Sequence, residues 1–136
     1  MLGVVASIRS ASVRLTGHAP FLLVPDVAAA LGHYRDVLGF ETSEYELVPE
    51  DNGTATRDGC TIFFNRGPRA IPNSQVAPPD LFDVYFWTDD VQSLFEELSG
   101  RGADVLHEPM DRPWKMREIR VRDPNGYVLG FGQPLA

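Results

Sequence analysis

The segment FLLVPDVAAALGHYRDVLGF, residues 21–40, decides the fold. A short apolar run leads to Asp26, and aspartate is favoured directly before the first turn of a helix. Apolar side chains then recur at the three- and four-residue spacing of one helix face until Gly39, a residue type that ends helices. The segment therefore predicts a short strand followed at once by a helix. The predicted apolar helix face consists of Val27, Leu31, Tyr34 and Leu38.

The same pattern returns in the second half of the chain. Apolar residues 84–87 lead to Asp90, a second helical stripe follows, and Gly100 and Gly102 end it. Strand-like segments follow each predicted helix, and the last one in each half comes after a turn signal, Asp58-Gly59 or Asp-Pro-Asn-Gly at 123–126. We therefore predict an α+β fold of two tandem βαβββ modules. The strand-like segments are 40–47, 54–56 and 60–65 in the first half, and 104–106, 115–122 and 127–131 in the second.

The boundaries of these units follow from the same signals. Residues 1–18 precede the first strand and are predicted to be an N-terminal extension. Residues 19–136 are predicted to form one domain, in which module one spans 19–66 and module two spans 83–133. The segment 67–82 contains four prolines and is predicted to be an irregular linker.

Composition limits the class of partner. The chain has 136 residues, 43% of them hydrophobic, which suffices for one core. Its net charge of −7 argues against a nucleic-acid partner, because phosphate binding requires an excess of Lys and Arg. No apolar run is long enough to cross a membrane. Cys60 is the only cysteine, so no intramolecular disulfide can form and a cytoplasmic location is expected.

Several motifs resemble those of the vicinal-oxygen-chelate superfamily, which includes glyoxalases, extradiol dioxygenases and bleomycin-resistance proteins. The resemblance covers nearly everything from Ala19 to Gln133, and it implies a cup-shaped half-barrel sheet. The bleomycin-resistance branch is the most similar, and its members bind a drug without transforming it. Members of the superfamily differ widely in chemistry, so the fold alone does not set the function. The motifs are residues 21–27 and 33–40, Asp89-Asp90-Val91, Gly102-Ala103-Asp104, Pro113-Trp114, Met116-Arg117-Glu118, residues 122–126 and residues 129–132.

The resemblance also implies where a metal would be held. In the metal-using families four strands each supply one ligand, and the matching positions here are Ala19, Phe63, Asp83 and Gly130. Only Asp83 carries a donor atom, whereas a catalytic transition metal needs at least three protein ligands. His18 lies one residue from the first position, where its side chain would point to the opposite face of the strand. We therefore predict no metal and no cofactor.

Other catalytic arrangements receive no support from the sequence. It contains neither a glycine-rich phosphate loop nor a Gly-x-Ser-x-Gly turn. Cys60 alternates with Ile62 and is predicted to be a small residue of the helix-covered core, while His33 and His107 are predicted to be surface residues. Asp83 could act as a lone general base, but nothing in the sequence shows that it is buried. No catalytic residue is predicted.

The cup would instead be lined by aromatic and apolar side chains. If the former ligand positions mark its inner surface, period-two alternation adds the neighbouring strand residues and Val128. Such a surface suits a planar or cationic organic ligand, although the same rings are equally suited to filling a core. The predicted ligand-binding residues are Phe21, Leu23, Phe63, Asp83, Tyr85, Trp87, Trp114 and Glu118.

The sequence thus favours a metal-free, homodimeric protein that binds a small molecule and sequesters it, as a resistance protein does with an antibiotic. Two alternatives stay open. One is an enzyme, either a lyase or dioxygenase with displaced metal ligands, or a metal-free isomerase that uses Asp83. The other is a regulatory or structural dimer whose cup is closed by its own side chains. Whether the modules pair within one chain or between two chains is also open.

Overall fold

The computed structural model describes residues 12–44, 51–78 and 81–136. Within them the chain forms two modules in succession, each beginning with a strand and a helix, so the predicted α+β fold with two modules is confirmed. A 3-10 turn, Asn73–Gln75, lies between the modules. The first module contains β1 (Phe21–Val24), α1 (Val27–Asp36), β2 (Glu41–Glu44), β3 (Asn52–Arg57) and β4 (Cys60–Arg66). The second contains β5 (Val84–Trp87), α2 (Val91–Gly100), β6 (Asp104–Val105), β7 (Met110–Arg112), β8 (Met116–Arg122) and β9 (Val128–Pro134).

Each module has its own sheet with the same strand arrangement. The order is β1-β4-β3-β2 in the first sheet and β5-β9-β8-β6 in the second, where β7 also pairs with β8. The first strand of each module runs parallel to the last, and the other pairs are antiparallel. Among the strands of the described residues, β1 and β5 are therefore edge strands.

Both helices begin as their sequences predict. The Asp26 carboxylate accepts a hydrogen bond from the backbone amide of Ala29, and that of Asp90 accepts one from Ser93, each at 3.0 Å. These bonds satisfy amides that lack a partner inside the first helical turn.

Strand residues alternate between a helix-covered face and an opposite face, which we call the inner face. On the helix-covered face lie the buried residues Leu22, Val24, Ile62 and Phe64 of the first sheet. Their neighbours along the strands, among them Phe21, Leu23 and Phe63, therefore lie on the inner face. The buried residues of the second sheet on its helix-covered face are Phe86, Ile119, Val121, Leu129 and Phe131.

The two modules share one hydrophobic core and are joined by one buried and one half-buried polar contact. The hydroxyl of Tyr34 in α1 donates to the carboxylate of Asp123 at 2.8 Å, and both residues are buried. Arg57 donates to both carboxylate oxygens of Glu97, at 2.9 and 2.8 Å. Because each contact links the first module to the second, the modules are packed together within one chain.

The turn signals also have the geometry that their residues require. Asp58 and Gly59 both have positive φ angles, 50° and 81°, as a tight two-residue hairpin turn demands. The Asp123 carboxylate accepts hydrogen bonds from the backbone amides of Asn125 and Tyr127, which fixes the turn before β9.

Some expectations need correction. Cys60 is exposed rather than buried, because it is the first residue of β4 and directly follows the hairpin turn. His33 is half-buried, and burial lowers its pKa, so it is not a simple surface residue. Strand β7 was not predicted. Residues 1–11 of the predicted extension and 45–47 of the predicted strand 40–47 lie outside the described residues, and residues 12–20 form no helix or strand.

In the described part of the chain, neither helix has the length and apolar character needed to span a membrane.

Replacing Tyr34 with Phe should lower the free energy of unfolding by about 1.5–3 kcal/mol, because it leaves a buried carboxylate oxygen of Asp123 without its donor. Chemical denaturation of the two proteins measures the difference. A double-mutant cycle with Asp123→Ala isolates the pair from other effects of each change. A coupling free energy near zero would show that this contact does not hold the modules together.

Candidate ligand-binding site

The predicted site residues fall into two groups on the inner faces. We call the first the Phe21 cluster, which consists of Phe21, Leu23, Phe63 and Asp83. We call the second the Glu118 cluster, which consists of Tyr85, Trp87, Trp114 and Glu118.

The Phe21 cluster presents apolar side chains to the surface at the edge of the first sheet. The Phe21 ring is 66% exposed, and its centroid lies 4.6 Å from that of Phe63, which follows from their pairing between β1 and β4. Phe21, Leu23 and Asp83 border a recess of about 280 Å³ together with Tyr127. This recess lies where the edge strand β1 comes close to the start of the second module.

Asp83 has a structural function in this recess. One of its carboxylate oxygens accepts from the backbone amide of Asn73 at 2.7 Å, and the other accepts from that of Val128 at 2.8 Å. The carboxylate thereby fastens the segment between the modules to the start of β9. Val128, which we expected to line the cup, is fully buried at this point. Because both oxygens are engaged, the geometry does not favour Asp83 as a general base.

The Glu118 cluster is built around a buried carboxylate. Glu118 lies in the middle of β8 and is 1% exposed. Its Oε2 accepts two hydrogen bonds of 2.7 Å, one from the Tyr85 hydroxyl and one from the Trp114 indole Nε1. Its Oε1 is buried and accepts no hydrogen bond from any described residue. A buried carboxylate oxygen without a donor is unfavourable, so a donor that reached Oε1 would stabilise it.

The β7–β8 turn holds Trp114 against Glu118. The amide of Lys115 donates to the carbonyl of Arg112 at 3.0 Å, and Pro113 occupies the second turn position, where its fixed φ is favourable. Lys115 itself has a φ of 64°. In this arrangement the guanidinium of Arg112 lies 4.8 Å above the Trp114 ring, and the ring remains 52% exposed.

Tyr85 is a hydrogen-bond donor in this site at neutral pH. Burial first, and then the hydrogen bond to Glu118, raise the pKa of its hydroxyl well above the ordinary value. Its ring also contacts Trp87 edge-on, with 5.2 Å between the centroids, and Trp87 is 71% exposed. The buried carboxylate is therefore bordered by two large exposed rings.

Two glycines of β9 make room for these rings. A Cβ atom on Gly132 would lie 1.8 Å from the Tyr85 hydroxyl oxygen, and one on Gly130 would lie 2.4 Å from the ring of Phe82. No side chain fits at either position unless the rings move. The rings of Phe82 and Tyr85 thus lie directly on the backbone of β9.

This arrangement does not fit the metal that the superfamily's enzymes use. Ala19 and Phe63 offer no donor, Phe82 covers Gly130, and both oxygens of Asp83 are bound to amides. Among residues 12–44, 51–78 and 81–136, no three His, Cys, Asp or Glu side chains are grouped as metal ligands.

Three residues of the site were not predicted from sequence. Phe82 packs on Gly130, and the guanidinium of Arg120 lies 4.8 Å above the Phe82 ring. Arg112 reaches Trp114 from β7. Period-two alternation from Glu118 would have placed Arg120 on the inner face, and glycines inside a strand signal a close approach by another group. No comparable signal marks Arg112, because its strand was not predicted.

Comparison with known proteins agrees with this geometry. Residues 15–131 match the model of the glyoxalase/bleomycin resistance protein/dioxygenase superfamily. The chain belongs to this superfamily. An uncharacterized protein of Mycobacterium bovis is 29% identical over 127 residues, which covers 86% of this chain and 82% of that protein.

Two further relatives carry names that refer to antibiotics. An anthracycline biosynthesis protein of Streptomyces sp. strain C5 is 29% identical over 119 residues, covering 75% of this chain but 41% of that protein. The crystal structure of the bleomycin-binding protein of Streptomyces verticillus, complexed with copper(II)-bleomycin, superposes with a TM-score of 0.69 and 25% identity. That match covers 88% of this chain and 97% of the bleomycin-binding protein.

Replacing Gly132 with Ala should lower the free energy of unfolding by about 1–3 kcal/mol, because the new methyl group overlaps Tyr85 and displaces it from Glu118. Gly100→Ala is the matched control, since nothing lies within 4 Å of a Cβ at that position. Denaturant unfolding followed by tryptophan fluorescence compares the two. Equal stability of both variants would mean that Tyr85 does not rest on β9.

Proposed function

We propose that this protein binds a planar small organic molecule on the inner face of its second sheet, without a metal and without transforming it. The observation that carries the proposal is the buried carboxylate of Glu118, which has one free oxygen and is bordered by the exposed rings of Trp87 and Trp114. An exposed aromatic surface around a fixed polar group is typical of ligand sites.

The rings provide most of the binding surface. Trp87 and Trp114 are 71% and 52% exposed, although tryptophan is usually well buried in folded proteins. A planar ligand stacked on them would bury this apolar area, and each aromatic contact contributes about 0.5–1.5 kcal/mol beyond the area term. The indole of Trp114 is already oriented by Glu118, so less side-chain conformational entropy is lost on binding.

Binding without reaction is the better match to the polar groups. The four positions that match the superfamily's metal ligands do not provide enough donor atoms for a metal. The one carboxylate among them, Asp83, accepts hydrogen bonds from two backbone amides. Tyr85 holds its proton tightly, and its hydroxyl is directed at Glu118. None of these groups is a free base or nucleophile, which supports a binding protein over a lyase, isomerase or dioxygenase.

Antibiotic sequestration is the form of binding that we favour. The support comes from the bleomycin-binding protein, which has the same fold along nearly its whole length. A second relative is named for anthracycline biosynthesis, although this chain matches less than half of it. We further propose that the protein acts in the cytoplasm, where an exposed free thiol such as that of Cys60 stays reduced.

We also propose that the native protein is a homodimer. The ring of Phe21 and the aliphatic side chain of Leu23 are exposed on the inner face of an edge strand. A second copy can cover both this face and the strand edge. A twofold axis would bring the same surface of each copy into contact.

Planar aromatic antibiotics should quench or shift the tryptophan fluorescence of the protein. The expected dissociation constants are in the micromolar range, which corresponds to a binding free energy of about 8 kcal/mol. Trp87→Ala and Trp114→Ala should each weaken binding by a few-fold to about tenfold, because each removes one stacking surface. Leu15→Ala is the control, since Leu15 is 98% exposed and outside both sheets. Excess EDTA should leave the affinity unchanged. Binding that EDTA abolishes, or that survives both tryptophan substitutions, contradicts the proposal.

The native mass should be twice 15.1 kDa at micromolar concentration, as measured by light scattering. Phe21→Ser should shift the equilibrium toward monomer because it removes an exposed ring from the proposed contact, whereas Leu15→Ser should not. A wild-type mass of 15.1 kDa would refute the dimer.

A further inference from the structure

This inference rests on the proposed function and concerns the chemical class of the ligand. We infer that the ligand is a planar molecule without positive charge, which carries an N–H or O–H donor for Glu118 and a carbonyl or other oxygen acceptor for Arg112 and Arg120. An aromatic carboxamide is the simplest compound with this combination.

The three polar residues share one face of the second sheet. Ile119 and Val121 are buried in the core on the helix-covered side, so Glu118 and Arg120 lie on the inner face. Arg112 is paired with Met116 across the β7–β8 ladder, and directly opposed residues of antiparallel strands point the same way. Glu118 therefore lies between the two arginines along this face.

Each of these residues has a buried atom without a partner. Oε1 of Glu118, Nε of Arg112 and Nε of Arg120 form no hydrogen bond with any described residue. One of them is an acceptor and two are donors. Since buried polar atoms are normally paired, a ligand that offers both a donor and an acceptor would complete this set.

The local charge disfavours a cationic ligand. Among the described residues, no carboxylate lies within ion-pair distance of Arg112 or Arg120, and their guanidinium groups lie instead over the rings of Trp114 and Phe82. Arg117, on the opposite face of β8, is by contrast paired with Asp111. Glu118 thus shares this face with two arginines that have no ion-pair partner among the described residues. A ligand cation placed there would be repelled by both.

The ligand class inferred from the structure is narrower than the planar or cationic ligand expected from sequence. The net charge of −7 belongs to the whole chain and suggested attraction of cations. Beside Trp114 and Phe82, however, the charged side chains without an ion pair are Arg112 and Arg120, against the single carboxylate of Glu118. The distribution of charge at the site, rather than the total, decides which ligand is accepted.

Four probes with one naphthalene ring test the inference. 2-Naphthamide has a donor and an acceptor, methyl 2-naphthoate and 2-naphthoate have acceptors only, and 2-naphthylmethylammonium is a cationic donor. Binding is followed by the NMR signals of the two indole N–H groups, which belong to Trp87 and Trp114. We expect 2-naphthamide to bind most tightly and the ammonium compound to bind at least about tenfold more weakly. The ammonium compound offers no acceptor to Arg112 or Arg120, and its charge is repelled by both.

Substitutions assign the effect to single residues. Glu118→Gln should remove the advantage of the amide over the methyl ester, and Arg120→Met should weaken the amide and the carboxylate while improving the ammonium compound. Arg117→Met is the matched control, because Arg117 is on the same strand but on the opposite face, and it should change none of these affinities. Unchanged backbone amide signals of residues outside the Glu118 cluster, in the variants without a probe, show that the fold is intact.

The outcomes separate the two claims. If none of the four probes moves either indole signal, the proposed binding function itself fails. If the probes bind but the ammonium compound is as tight as 2-naphthamide, or if Arg120→Met has no more effect than Arg117→Met, the function stands and the inferred ligand class is wrong.

Discussion

The burial of one carboxylate, that of Glu118, organises the inner face of the second sheet. A charged group in the middle of a strand is tolerated only if donors reach it, and here Tyr85 and Trp114 both donate to Oε2. Tyr85 can do so because Gly132 leaves room for its ring, and Trp114 can do so because the β7–β8 turn directs it inward. Thus the glycine, the turn and the two rings form one connected arrangement, and the free Oε1 is its remaining unsatisfied atom.

The fold was predictable from sequence because its signals are local and repeated. Each helix is marked by an aspartate cap and an apolar stripe, and each final strand is marked by a turn motif, so both modules could be recognised independently. The errors arose where local pattern carries no information. Cys60 has the alternation of a core residue, but it stands at the end of its strand, where the core stops. Strand β7 has three residues and depends on pairing with β8, which sequence alone does not reveal.

The site was predictable only in outline. Alternation along β1, β4 and β5 indicated which residues share the inner face, but it could not indicate what each polar group contacts. Asp83 illustrates the limit, because its two amide partners, Asn73 and Val128, come from different parts of the chain. The same holds for Arg112, whose place on this face follows from the β7–β8 register. Register and turn geometry set these contacts, and they emerge only in three dimensions.

The rings of Phe82 and Tyr85, which lie on β9, leave no room for a metal ligand on that strand. In the superfamily's enzymes a ligand side chain stands at the position of Gly130, whereas here even a single Cβ atom would lie 2.4 Å from the ring of Phe82. Any donor-bearing residue at 130 would have to displace Phe82, and with it the contact between that ring and Arg120. A metal ligand at position 130 and the present place of the Phe82 ring are therefore incompatible. In the function that we propose, stacking and guanidinium donors take the place of chelation on the same arrangement of strands.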